Sequence, residues 1–212
     1  MRITAGIYRG RVIKALAGAT TRPTTGRNRE AWASTLAAIL PRGFDGLSVL
    51  DAFAGSGALG LEALSRGAAS VVFCESDRRA LRILRENLSI AEGSSSSISV
   101  LHLDVLSPKA VRPLKNAGPY QLVLLDPPYT VSAQRLEKLL QTLVANDSLA
   151  PGAIVSYEHG NDGNKGLGGL YFPLACSPAS LQVVSCKTYG ITRIEYLRLV
   201  QEAQNARPLK EQ

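Results

Sequence analysis

Histidine and cysteine are too scarce in this chain to build a metal centre. Its 212 residues include two histidines, His102 and His159, and three cysteines, Cys74, Cys176 and Cys186, none in Cys-x-x-Cys spacing. An odd, dispersed set of thiols argues against a disulfide framework or a zinc site and fits reduced thiols in a cytoplasmic protein. No apolar run approaches the roughly 18 residues that cross a bilayer, so no membrane role is expected. The first residues, Met1-Arg2-Ile3-Thr4, lack the apolar core of a secretory leader. Acidic residues are missing altogether before Glu30, where Arg2, Arg9, Arg11, Lys14, Arg22, Arg27 and Arg29 stand. Those seven basic residues equal the whole net charge of +7. The body is then neutral in sum and the N-terminal arm basic, which suits a polyanionic partner, although a solvated face has the same composition.

What is present alternates. Short apolar runs at 48–50, 70–74, 99–103, 120–125 and 153–157 are separated by helical patterns at 58–66, 78–91 and 133–145. Strands apolar throughout and separated by helices argue an α/β fold with a mostly parallel sheet covered on both faces. Two β-rich runs, 181–187 and 193–200, flank the turn Tyr189-Gly190-Ile191 and read as an antiparallel pair closing the sheet. At the other end, 2–16 reads as a hairpin turning near Tyr8-Arg9-Gly10, 22–29 as extended chain, and 30–40 as an apolar helix. Residues 93–97 and 161–169 read as flexible loops and 201–212 as a frayed tail. The division expected is an arm over 1–29, one domain over 30–200 and a tail over 201–212.

Two segments carry chemistry. Gly55, Gly57 and Gly60 spell G-x-G-x-x-G between a strand and a helix, a cradle for a nucleotide-like cofactor. Glu75, twenty positions after Gly55, fits the acid that grips a ribose diol. Dinucleotide and S-adenosylmethionine enzymes share this pattern. Asp51, just before the loop, is placed to meet an ammonium rather than a phosphate, and Asp104 to meet an adenine amine or to cap a helix. The second segment, Asp126-Pro127-Pro128-Tyr129, follows the apolar run 122–125. Two prolines stiffen the turn, so the Asp126 carboxylate and the Pro127 carbonyl can accept from one exocyclic amine while Tyr129 stacks on its ring. Methyl transfer to a nucleobase amine follows from the two together.

The run Asp51 to Ala68, the Asp126-Pro-Pro-Tyr129 turn, and the arm Arg2 to Arg11 with Thr21-Arg-Pro-Thr-Thr25 resemble the bacterial RsmD-type 16S rRNA (guanine-N2)-methyltransferases over roughly 1–199. The resemblance implies a class I methyltransferase fold with seven strands and S-adenosylmethionine as donor, leaving S-adenosylhomocysteine. It implies guanine 966 of 16S rRNA, within the small ribosomal subunit or its assembly intermediate, as acceptor. Nothing in the sequence suggests more than a monomer, and the scarcity of histidine and cysteine leaves no metal expected. By the same resemblance Asp51, Phe53, Gly55, Gly57, Glu75 and Asp104 would hold the cofactor, and Asp126, Pro127 and Tyr129 the target base. Arg9, Arg11, Arg22 and Arg27 would contact RNA. The chain departs from the family pattern at Gly26-Arg27-Asn28-Arg29-Glu30 and the following Ala31-Trp32-Ala33. A DNA or RNA adenine-N6 methyltransferase and a non-catalytic RNA-binding assembly factor are the alternatives; a nicotinamide oxidoreductase is the outsider.

Overall fold

In the computed structural model, residues 1–16, 26–160, 167, 171–172 and 179–201 are described. In chain order the elements are α1 (Gly26–Ile39), β1 (Ser48–Asp51), α2 (Ala58–Ser65), β2 (Ser70–Glu75), α3 (Arg78–Leu88), β3 (Ser97–His102), α4 (Val111–Ala117), β4 (Tyr120–Leu125), α5 (Ala133–Ala145), β5 (Leu149–Gly160), β6 (Tyr171–Phe172), β7 (Ala179–Tyr189) and β8 (Thr192–Gln201). They form one sheet ordered β3-β2-β1-β4-β5-β8-β7-β6. The five strands from β3 to β5 are parallel, and β8, β7 and β6 add antiparallel. The seven expected strands are present, and the two-residue β6 borders β7 as an eighth.

The sheet divides two apolar layers. One gathers Trp32, Leu36, Leu61, Leu64, Leu81 and Leu84 of α1, α2 and α3 against Leu122, Leu124, Ile154 and Tyr196. The other packs Leu114, Leu136, Leu140 and Leu143 of α4 and α5 against Leu50, Val72, Val123 and Val155. Alternate residues of one strand therefore feed opposite layers, which is why the strands read as continuous apolar runs. The short helix α4 went unread in the sequence, because Pro113 and Lys115 break its apolar pattern.

The arm matches expectation over residues 1–13 and differs from Gly26 onward. The hairpin read over 2–16 forms around an antiparallel bridge of Arg2 with Val12: Met1 and Ile13 exchange backbone hydrogen bonds at 2.8 and 2.9 Å, and Ile3 donates to Arg11 and accepts from Gly10. The hairpin is seated on α2: the Ile7 amide donates to the Ser65 carbonyl at 2.8 Å, and the Ser65 hydroxyl donates to the Ala5 carbonyl. Glu62, fully buried, accepts from the Thr4 amide at 2.8 Å and the Thr4 hydroxyl at 2.9 Å. Arg29, also buried, lies 3.5 Å from Glu62 and donates to the Arg2 carbonyl at 2.7 Å. Helix α1 begins at Gly26, so Arg27 and Arg29 are helical rather than extended. The unusual Trp32 anchors that helix, donating its indole N–H to the Ser156 hydroxyl of β5 at 2.9 Å. Arg22, the 161–166 and 168–169 parts of the glycine-rich segment, Cys176 and the tail from 202 lie outside the described residues.

Gly6 seats the arm. Its φ is +84° and a Cβ there would fall 1.7 Å from the Ser65 carbonyl oxygen, which is backbone and cannot give way. Gly6→Ala should therefore cost about 1–3 kcal/mol and free residues 1–13 from α2. Thermal unfolding should register the loss, and limited proteolysis should cut the arm while sparing the sheet.

Candidate functional site

Parallel strands end together, and here an acid stands at, or within two residues beyond, the end of each of four neighbouring ones. Asp51 pairs with Phe73 and with Leu124 across β1, and Glu75 pairs with His102 across β2 and β3. Each next acid lies two residues beyond such a partner: Glu75 after Phe73, Asp126 after Leu124, Asp104 after His102. Asp104, Glu75, Asp51 and Asp126 thus form a row along the carboxyl edge, about 14 Å long at ~4.8 Å per strand. The row crosses the gap between β1 and β4, where the strand order reverses. Open α/β sheets take their ligands at such a reversal.

Each acid is differently engaged. Asp51, 2% exposed, accepts from the Gly60 amide at 3.0 Å. Burial raises its pKa from 3.8 to about 7; the Gly60 N–H opposes the rise, and the negative Asp126 and Glu75 add to it. Asp126 is raised to about 6 by burial. Glu75 clamps the loop with both oxygens, accepting from the Gly55 amide at 2.8 Å and the Asp77 amide at 2.7 Å. Asp104 accepts from the Leu106 amide at 2.9 Å in a turn, whereas the helical turn that follows is capped by Ser107.

The glycines act by close packing. A Cβ on Gly60 would meet the Phe73 ring at 2.2 Å and the Asp51 carboxylate at 2.9 Å. Gly57 begins α2 with φ +80°, and a Cβ there would strike Leu84 at 2.5 Å. Phe53 is half-buried against the second apolar layer. Across the reversal, Pro127 is buried, the Pro128 carbonyl accepts from Val131 at 2.9 Å, and Tyr129 stands 51% exposed at the site's rim.

Sequence reasoning missed Asn87. Buried on α3, it accepts from the Lys14 amide at 2.7 Å and donates to the Lys14 carbonyl at 2.9 Å and the Ser56 carbonyl at 2.8 Å. One side chain joins the arm to the glycine loop, and Leu16 lies beside Gly55. The signal available was a single polar residue on the apolar stripe of α3. Of the expected RNA contacts, Arg9 and Arg11 are exposed on the arm and Arg27 is exposed at the start of α1. The arm's turn sits at Ser65, so α2 separates Arg9 from the glycine loop by about 12 Å. Among the described residues no group of three His, Cys, Asp or Glu could hold a metal ion, and no helix is long and apolar enough to cross a membrane.

Residues 1–198 match the family described as conserved hypothetical protein 95. The chain is 33% identical over 162 residues to the ribosomal RNA small subunit methyltransferase D of Haemophilus influenzae, covering 76% of this chain and 80% of that one. It superimposes on the Escherichia coli protein yhhF with a TM-score of 0.69 at 29% identity, covering 94% and 98% of the two chains. A structure of Trm1 from Pyrococcus horikoshii with S-adenosyl-L-methionine shares the fold, with a TM-score of 0.63 at 16% identity over 89% of this chain and 59% of that one.

The raised Asp51 pKa has a signature in stability. Unfolded, this carboxyl ionises near 3.8; folded, it keeps its proton to about 7. The folded state binds the extra proton across that window, so its stability falls as pH rises to about 7 and levels above. Asp51→Asn should remove this share of the fall. Its melting temperature relative to the parent protein should climb from pH 5 to pH 8 in the absence of ligand, whereas a pH-independent difference would leave Asp51 with an ordinary pKa.

Proposed function

This chain belongs to the RsmD family, that of conserved hypothetical protein 95, and from that membership we propose that it transfers a methyl group from S-adenosylmethionine to a guanine N2 amine of 16S rRNA. The observation that carries this reading is the row of four carboxylates with the Asp126-Pro-Pro-Tyr129 turn at its end. The residues fit the cofactor. Asp51 is a buried carboxylate whose charge an ammonium would compensate, and the Gly55–Gly57 turn follows it in sequence. Glu75, fixed by two amides, keeps lone pairs for ribose hydroxyls, and Asp104 at the row's far end would accept from the adenine amine. When bound, the cofactor supplies an electrophilic methyl group on a sulfonium.

The chain's own work is positioning. Asp126 and the Pro127 carbonyl accept from the target amine, which favours its pyramidal form and aims the lone pair at the methyl group. Tyr129 stacks on the base, which has to leave its own stack to enter. Ionised Asp126 can take the proton the amine loses, and a pKa raised toward neutrality suits that exchange. We assign guanine 966 as the target, in the small subunit or its assembly intermediate. Residues 1–29 form the RNA-contacting arm through Arg9, Arg11, Arg22 and Arg27, residues 30–200 the catalytic domain and 201–212 the tail of a cytoplasmic monomer.

Asp126→Ala should lower methyl transfer to unmethylated small subunits at least about a hundredfold while leaving S-adenosylmethionine affinity within a few-fold. Nucleoside analysis of the product should find label in N2-methylguanosine; label in N6-methyladenosine would reassign the base, and no label would leave an RNA-binding assembly role. Cofactor binding should also release protons near pH 6–7, because an ammonium beside Asp51 pulls its raised pKa down. Calorimetry in buffers of different ionisation heat should show that release in the parent protein and a diminished one in Asp51→Asn.

A further inference from the structure

The charge that sums to neutrality over the body is not evenly placed. Helix α3 turns Ala80, Leu81, Leu84 and Asn87 inward, and leaves Arg78, Arg79, Arg82 and Arg85 exposed. No ion pair within 4.0 Å among the described residues engages any of these four, and Arg82 acts on Glu86 at longer range only. The nearby acids are already occupied. Glu86 binds Lys14 of the arm at 2.7 Å, and Asp77 caps the helix by accepting from the Arg79 and Ala80 amides. An ordinary solvated helix face mixes its signs, as α5 does with Arg135, Glu137 and Lys138. Four arginines of one sign repel one another and gain from a ligand that brings negative charge.

A groove lies beside them. About 480 Å³ in volume, it is lined by Arg78, Leu81, Arg82, Arg85, Glu86 and His102. Leu81 is buried, and His102 ends β3, the edge strand of the sheet, with its Nε2 3.2 Å from the Ser76 carbonyl. Arg78, Arg82 and Arg85 recur at helical spacing and span about 10 Å of the axis. Over that length one strand of a duplex presents about three phosphates. Guanidinium forks match phosphate oxygens in pairs.

We propose that the exposed face of α3, with the groove to His102, is a docking track for the phosphodiester backbone of the RNA, continuous through Lys14 with the basic arm. This rests on the rRNA reading above and deepens it. The track starts three residues after Glu75 and runs away from the carboxylate row, so RNA lying on it approaches from the cofactor side while its target base reaches Asp126. A membrane would need an apolar side, and that of α3 is buried in the core.

The test compares two triple variants of equal charge. One is Arg78→Gln, Arg82→Gln, Arg85→Gln; the other, Lys109→Gln, Arg112→Gln, Lys115→Gln, removes the same charge at α4 on the opposite layer. Binding to an unmethylated 16S rRNA transcript is measured from low to high salt, with S-adenosylmethionine affinity and thermal unfolding as fold controls. The α3 variant should bind at least tenfold more weakly at low salt. The slope of log affinity against log salt should fall by about 2, near 0.7–0.9 for each phosphate that the protein no longer neutralises. In turnover its KM for small subunits should rise while kcat is kept. The α4 variant should hold the parent slope. An unchanged slope in the α3 variant, or an equal fall in both, overturns the track and leaves the rRNA reading standing. No transcript binding by the parent protein overturns that reading and the track with it.

Discussion

Parallel strands force their carboxyl ends onto one edge, and this chain has placed an acid at four of them. The arrangement is electrostatically unfavourable by itself. Burial opposes the ionisation of Asp51 and of Asp126, and at Asp51 the negative Asp126 and Glu75 add to it. The fold tolerates the row because backbone N–H groups converge on it: Gly60 on Asp51, Gly55 and Asp77 on Glu75, Leu106 on Asp104. Those donors come from loops whose conformation the glycines permit. The glycine loop is thus as much a counterweight to the acids as a seat for a ligand, and a cation arriving there relieves a tension the sheet has built in.

Much of this was readable beforehand. The positions of the strands and of α2, α3 and α5 followed from the alternation of apolar runs, since a parallel strand buried on both faces needs no partner information to announce itself; the strand order did not. Asp51, Glu75, Asp104 and Asp126 were each found by standing at the end of such a run. Their alignment into one row needed the register, which no local pattern carries. The arm was the weak point. Its residues between Arg2 and Val12 alternate enough to suggest the hairpin that forms, but not where that hairpin is seated. The arm's stability comes from Glu62, Ser65 and Asn87, up to 73 positions away, and contacts so distant leave no trace in the arm's own sequence. Charge counting failed in the same way. It credited Arg29 to a polyanion, whereas Arg29 is buried beside Glu62, and it passed over the four exposed arginines of α3.

Glu62 and Asn87 make the arm part of the body. A carboxylate without exposure must be neutralised by its neighbours, and here Arg29 and Arg66 approach it to 3.5 Å while Thr4 donates twice. Removing one partner of such a set strands a buried charge, at about 3–5 kcal/mol. The arm's start, α1 and α2 are consequently locked as a unit, and Asn87 extends that unit to the glycine loop.

The docking of the arm at Ser65 sets a measure. Its arginine-bearing turn stands at one end of α2 and the carboxylate row at the other, about 12 Å apart. A molecule that grips Arg9 and presents a group to Asp126 at the same moment has to bridge that length. The rigid helix between the two ends fixes that length as a calliper would, so that only a ligand long enough to bridge it could touch both ends at once.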